Sequence, residues 1–349
     1  MIKECIPILL ENQELAPEMA ESAMREIMTG EATPSQVAAF LISLKKKGET
    51  VEEMTALAQV VREHSTRVHP KVDGFLLDTC GTGGDLTKTF NVSTTSALVL
   101  AAARVRVAKH GNRSFTSKCG SADVLEQLGF NLNVEASRVE RSIQEIGIGF
   151  MFAPNFNPAM KNVSSVRKEI GVRTVFNLIG PLTNPANANA QLIGVYKSEL
   201  LEPMCRCAHN LGTKSVMTVY GVDGVDEISL TGKTLVTTIR NGSVVRDELE
   251  PEDFGLKKAR VEDIAGSEPE ENARLTARIL MGELGSHDPR CEIVAANVAA
   301  GLLLCEKVQD LMEGVEVARE VIRSGTGFRV LHDLVEFSGG DTSRLKRIV

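Results

Sequence analysis

The chain has 349 residues, 43% of them hydrophobic and 24% charged, with a formal net charge of −7. That length accommodates two domains, and the composition is ordinary for a globular protein. The negative balance and the 4% aromatic content argue against wholesale attraction to nucleic acid and against a stacking platform for bases. The longest nearly apolar run, Ile293 to Leu304, contains Asn297 and is too short to span a bilayer. The first residues lack a convincing signal-peptide core, so a cytoplasmic protein with no membrane partner is expected. Seven cysteines, none in a C-x-x-C pair, argue against a disulfide framework. Cys205 and Cys207, two apart in a helical pattern, should point to different faces.

Residues 1 to 68 read as helices only. Glu18 to Met28 has apolar spacing on one face. Thr33-Pro34 opens the next helix with proline in the first turn; Val37, Phe40, Leu41 and Leu44 share a face, and Gly48 ends it. Thr50 and Glu53 form a capping box. Lys45-Lys46-Lys47 reads as a solvated last turn, and His64 and His69 as surface or packing residues. From Phe75 the pattern changes to alternating short strands and helices. Strands are expected at Phe75–Asp78, Val105–Ala108, Gly149–Phe152, Gln191–Tyr196 and Ser215–Tyr220. Helices are expected at Thr94–Ala103, Ser121–Leu128, Ser137–Ile146 and Leu200–Leu211. The alternation predicts an α/β fold with a mostly parallel sheet. Residues 158 to 185 return to helical character. Asn241-Gly242 predicts a hairpin between Leu235–Ile239 and Val244–Arg246, and Glu248 to Lys258 reads as an exposed loop. Three helices follow, at Glu270–Glu283, Pro289–Glu306 and Leu311–Ser324, and the last 25 residues are mixed.

Four loops carry candidate chemistry. Gly81-Thr82-Gly83-Gly84-Asp85 follows a strand; it fits neither the Walker pattern nor G-x-G-x-x-G, and is either a tight turn or an anion site. Asp85 within it would repel a bare phosphate unless it accepts sugar hydroxyls or meets a cation. Asn91-Val92-Ser93-Thr94 opens a helix, where Ser93 or Thr94 caps it or the helix start holds a phosphate with a hydroxyl on Mg²⁺. Lys109-His110-Gly111-Asn112-Arg113-Ser114 brings cationic and neutral donors to a strand end. Asp223, Asp226 and Glu227 crowd one loop and would repel one another without a cation. Arg167 and Arg173 are candidate forks for a carboxylate, and the sequence leaves open which one faces inward. Together these residues describe a site for a sugar phosphate bearing a further phosphate, with Mg²⁺.

Six motifs in order extend this reading. The glycine loop, Asn91-x-Ser93-Thr94, the Lys109–Ser114 run, Gly120-Ser121-Ala122-Asp123-Val124-Leu125-Glu126, Pro158-Ala159-Met160-Lys161, and Arg173-Thr174-x-Phe176-Asn177 with Gly180-Pro181-Leu182-x-Asn184-Pro185 resemble the anthranilate phosphoribosyltransferase family over nearly the whole chain. The resemblance implies transfer of a phosphoribosyl group from 5-phosphoribosyl 1-diphosphate to anthranilate in tryptophan biosynthesis, two Mg²⁺ ions per subunit, and a homodimer. It also implies a nucleoside-phosphorylase-like fold. In that fold a small helical domain, 1–68 with the returning segment 158–185, faces an α/β domain of 72–157 and 186–349. Carried over by position, Gly81, Gly84, Asp85, Thr89, Asn91, Val92, Ser93, Thr94, Lys109, His110, Gly111, Asn112, Arg113, Ser114, Phe115, Thr116, Ser117 and Ser121 would contact the diphosphate donor. Gly81, Asn112 and Arg167 would contact anthranilate. Ser93, Asp226 and Glu227 would hold the metal, and no covalent nucleophile is implied. Asn157, Leu86 and Thr116 depart from the family's usual His, Gly and Ser. A nucleoside phosphorylase of the same fold and a nucleic-acid-binding relative are the rival readings.

Overall fold

The computed structural model describes residues 1–83, 89–114, 118–240, 242–285 and 287–348, with Arg240 described for its backbone alone. Four helices open the chain: α1 (Ile2–Leu10), α2 (Pro17–Thr29), α3 (Pro34–Lys47) and α4 (Val51–Glu63). Their starts follow from local chemistry. Thr33 and Gln36 form a capping box on α3, as Thr50 and Glu53 do on α4, each cap contributing about 1 kcal/mol. Glu53 does more than cap. Fully buried, it also accepts the Leu15 N–H at 2.9 Å and pairs with Lys47 Nζ at 2.6 Å. The last turn of α3 is therefore not wholly solvated: the Lys47 side chain is 4% exposed, drawn inward by the buried carboxylate.

A seven-stranded sheet follows among the described residues. Its strands are β1 (Leu76–Gly81), β2 (Arg106–Gly111), β3 (Ile148–Phe152), β4 (Ala190–Gly194), β5 (Ser215–Gly221), β6 (Thr234–Arg240) and β7 (Ser243–Leu249), in spatial order β3-β2-β1-β4-β5-β6-β7. The first five are parallel; β6 and β7 add an antiparallel hairpin at one edge. The hairpin is where Asn241-Gly242 placed it, with Asn241 outside the described residues. From β1 the chain winds to β2 and β3 on one side, then returns to β4 and winds the other way. The switch lies between β1 and β4, so a crevice opens at their C-terminal ends.

Period-two alternation sorts strand residues into two cores. Leu192, Met217, Val219 and Val236 pack with the α/β helices α5 (Val92–Ala102), α13 (Pro289–Leu304) and α14 (Leu311–Ser324). Ile193, Val216 and Ile239 pack with α1 to α4, with α11 (Leu201–Asn210), and with the returning α9 (Lys161–Ile170) and α10 (Val175–Ile179). Cys205 donates toward the sheet at Thr237 O and Cys207 toward Val51 O on the helical side, which is the two-face arrangement their spacing predicts. α5 and α13 are apolar all round because both are covered all round.

Three expectations need correction. Glu248 to Lys258 is not simply an exposed loop: Glu248 and Leu249 end β7, and Pro251, Phe254 and Leu256 are buried, because apolar residues among the charges fasten the segment to the core. The tail is helical, with α15 (Thr326–Phe337) and α16 (Ser343–Ile348). Finally, α5 begins at Val92 with Asn91 as N-cap, so Ser93 and Thr94 lie inside its first turn. The Asn91 side chain makes no capping bond; instead Glu227 Oε1, 134 residues away, accepts the Ser93 N–H at 3.1 Å.

Candidate active site

A cavity of about 340 Å³, called the main cavity because the sequence-predicted site residues line it, opens in the crevice at the C-terminal ends of the parallel strands. Gly81 ends β1, Lys109 to Gly111 end β2, and Ala153 follows β3. The start of α5 forms the floor, Asp226 and Glu227 approach from the loop after β5, and Arg167, Arg173, Phe176, Asn177, Gly180 and Pro181 close it from the returning segment.

Two glycines allow the acidic loop to come this close. A Cβ on Gly81 would sit 2.9 Å from Asp226 Oδ2, and one on Gly194 would overlap the Asp226 carbonyl. The loop therefore lies across β1 and β4 at the switch point. Asp223 is turned away: its carboxylate is occupied by the Ser229 and Thr231 hydroxyls. Asp226 and Glu227 line the cavity and Asp223 does not.

Lys109 is 2% exposed. Its ammonium donates to Thr79 O at 2.6 Å and reaches Ser93 Oγ at 3.4 Å. Burial lowers its pKa, while Asp78 pulls it back up. The buried Asp78 carboxyl is raised by the same loss of solvent and lowered by Lys109. His110 is pushed down to about 4 by burial and then by Lys109, so it is a neutral donor–acceptor at neutral pH. Its Nε2 lies 3.4 Å from Asn157 Nδ2. The Thr94 hydroxyl is buried without a partner among the described residues, an unmet polar group on the cavity floor.

Both arginines line the cavity, each over an aromatic ring. Arg173 stacks over the Tyr196 ring at 4.3 Å. Arg167 lies over Phe176 at 5.3 Å; its pKa is lowered by burial alone, and among the described residues no carboxylate pairs with it. A half-buried guanidinium without an ion-pair partner among the described residues, in a cavity that a lysine also lines, is fitted to receive an anionic group.

The chain is matched by two consecutive family models, the glycosyl transferase family helical bundle domain over residues 3–65 and the glycosyl transferase family a/b domain over residues 73–328. A protein from Symbiobacterium thermophilum named anthranilate phosphoribosyltransferase is 51% identical over 337 residues, 97% of this chain and 98% of the relative. The chain belongs to the anthranilate phosphoribosyltransferase family. Among solved structures of that family, the Thermus thermophilus protein superposes with a TM-score of 0.89 at 42% identity, covering 96% of this chain and 99% of its own. The Saccharomyces cerevisiae enzyme, solved in complex with PRPP and Mg, also has a TM-score of 0.89, at 30% identity, covering 97% and 98%. The nucleoside-phosphorylase-like architecture expected from the sequence is thus the fold of the anthranilate phosphoribosyltransferases.

Of the residues singled out beforehand, Gly81, Thr89, Asn91, Val92, Ser93, Thr94, Lys109, His110, Gly111, Asn112, Arg113, Ser114, Ser121, Arg167, Asp226 and Glu227 line this one cavity. Gly84, Asp85, Phe115, Thr116 and Ser117 lie outside the described residues. Arg113 is held by Asp123 at 3.0 Å and Glu126 at 2.8 Å. Sequence reasoning missed Cys80, Phe90, Cys119 and Ala153. Ala153 could have been found as the residue just past the end of β3, the third strand terminating at the crevice. The others carry no chemical signal: they are wall, selected by position.

Proposed function

We propose that this chain transfers the 5-phosphoribosyl group of 5-phosphoribosyl 1-diphosphate to the amine of anthranilate and releases diphosphate. This is the step that attaches the sugar in tryptophan biosynthesis. The observation that carries the reading is Arg167, a guanidinium without an ion-pair partner among the described residues, facing the cavity that Lys109, Asp226 and Glu227 also line. A carboxylated acceptor meets Arg167 on the helical side, with Asn112 and Gly81 beside it. The donor lies along the α5 start and the Lys109–Ser114 run, with Thr89 and Ser121 at its edge.

Ser93, Asp226 and Glu227 offer only hard oxygen donors to one volume, the set Mg²⁺ takes, and we place two ions per subunit there. Mg²⁺ bound there supplies positive charge against the departing diphosphate. The chain's own residues do the rest. The Thr94 hydroxyl at the α5 start, without a partner among the described residues, and the buried Lys109 ammonium face phosphate oxygens. Arg167 holds the acceptor carboxylate so that its amine nitrogen lies near C1 of the ribose. The C1–O bond to diphosphate breaks, the C1–N bond forms, and the amine releases its proton to solvent. No nucleophile is required.

We assign the helical unit to 1–68 with 158–185, and the donor-binding unit to 72–157 and 186–349. We infer a homodimer through the helical unit, where Leu10 and Ile42 are 52% and 42% exposed. We infer a cytoplasmic location, in line with an odd number of cysteines and no C-x-x-C pair. The test is the loss of anthranilate fluorescence dependent on the diphosphate donor and Mg²⁺. Asp226→Asn with Glu227→Gln should lower turnover at least about 100-fold at saturating Mg²⁺; near-normal turnover would sink the metal assignment. Phosphate-dependent release of base from a nucleoside, without loss of anthranilate, would point to the phosphorylase reading instead.

A further inference from the structure

A second cavity, about 230 Å³, lies at the opposite end of the sheet. Asn187 and Ala188, leading into β4, and Leu211 and Gly212, between α11 and β5, form one side; Gln59, Arg62 and Arg67 form the other. It is thus separated from the main cavity by the length of the strands.

Arg62 is 5% exposed. Its Nε donates to Leu182 O at 2.6 Å and its Nη1 to Leu211 O at 2.9 Å. Those two bonds join α4 to the loop before β4 and to the end of α11. They leave Nη2 without a protein partner among the described residues, yet it is not one of the sealed unpartnered atoms. Its open side therefore faces the cavity that Arg62 lines. Arg67 donates from Nη1 to Asn187 Oδ1 at 2.8 Å, and its Nε and Nη2 have no protein partner among the described residues. Asn187 is held at φ 49°, a left-handed conformation that a non-glycine residue adopts at some cost.

No carboxylate pairs directly with these charges among the described residues. Among the described residues, neither guanidinium forms an ion pair. Glu63, the acid next to Arg62 in sequence, is turned to Arg25 at 2.6 Å and accepts from Gln59 at 3.2 Å. The carboxyl end of α11 offers about half a unit of negative charge, and Arg62 Nη1 already uses it. Burial and then the Arg67 charge pull the Arg62 pKa down to about 10, with Asp78 opposing them. Two like charges facing one cavity destabilise each other unless an anion sits between them.

We propose that this cavity binds a small tetrahedral oxyanion, a phosphate group, between Arg62 Nη2 and the open nitrogens of Arg67. A dianion matches the two guanidinium charges, and the planar forks suit its oxygens. The remaining volume admits either free phosphate with water or a phosphomonoester. Bound there, the anion joins α4 of the helical layer to the loop leading into β4.

The experiment is calorimetric titration of the full-length protein at constant ionic strength without Mg²⁺, using inorganic phosphate in one arm and ribose 5-phosphate in the other. Wild type, R67Q and R67K are compared. The expected result is one binding component whose affinity falls about tenfold or more in R67Q and is largely kept in R67K. Turnover and both KM values in phosphate-free buffer stay unchanged. The arm that responds to R67Q identifies free or esterified phosphate as the occupant. An unchanged melting temperature for R67Q without phosphate separates lost binding from lost fold. Equal isotherms for wild type, R67K and R67Q in both arms would overturn the proposal, since phosphate taken up by the main cavity alone is insensitive to Arg67.

Discussion

If Arg167 holds the acceptor carboxylate, as proposed, Arg167→Gln removes that contact from the cavity it lines. Little stability is at stake. Its visible contact is the face of Phe176 at 5.3 Å, and such a contact is worth about 0.5–1 kcal/mol. For this chain length that is a shift of a few degrees in melting temperature at most. Binding is a different matter. A charge-assisted hydrogen bond to a carboxylate contributes about 1.5–3 kcal/mol, so kcat/KM for anthranilate should fall by about 10- to 150-fold, more if both fork nitrogens engage. The assay is initial-rate loss of anthranilate fluorescence at saturating donor and Mg²⁺. Aniline, which lacks the carboxylate, supplies the control. Wild type should discriminate strongly against it, whereas Arg167→Gln should treat the two amines within a few-fold of each other. The cycle of two proteins and two acceptors isolates the pair. If Arg167→Gln retains kcat/KM for anthranilate within about threefold, or still rejects aniline as strongly as wild type, then Arg167 is not the carboxylate partner.

Other consequences follow from the same structure. Gly194→Ala drives a methyl group into the Asp226 carbonyl; the acidic loop must move, and we expect at least about 2 kcal/mol of destabilisation, read by urea unfolding, together with a weakened Mg²⁺ dependence of turnover. Lys47→Met leaves the buried Glu53 carboxylate without its cation and should cost about 3–5 kcal/mol, whereas the double change Lys47→Met with Glu53→Gln should recover part of that loss in thermal melts. His110 is held at about 4 in the folded chain, against about 6.5 unfolded. The unfolded state therefore binds more protons between those values, and stability falls as pH drops from about 6.5 to 4, by up to about 3 kcal/mol. His110→Asn should flatten that part of a stability–pH curve, and an unaltered slope would show that His110 is not the group responsible.

Much was legible before any coordinates. The Thr33-Pro34 helix start, the capping box at Thr50, the strand-and-helix alternation after Phe75, and the Asn241-Gly242 turn are local signals, carried by residues a few positions apart. The motifs at Gly81, Asn91 and Lys109 carry donor chemistry in the same local way. What was illegible has a common cause. Sequence spacing could not show that Arg173 stacks on Tyr196. It could not show that Glu227 caps α5, that Lys47 turns inward, or that the tail folds as helices against the core. Each of these is settled by a partner far along the chain.

The residue types alone determined that a phosphate-bearing sugar and a metal would find ligands here, because backbone N–H groups at a helix start, a lysine and paired carboxylates have that chemistry wherever they occur. Only the tertiary structure decided that they form one site. The reversal of winding between β1 and β4 opens the crevice, and two glycines let the loop after β5 cross it. The sorting of alternate strand residues into two cores then brings the helical segment carrying Arg167 over its mouth.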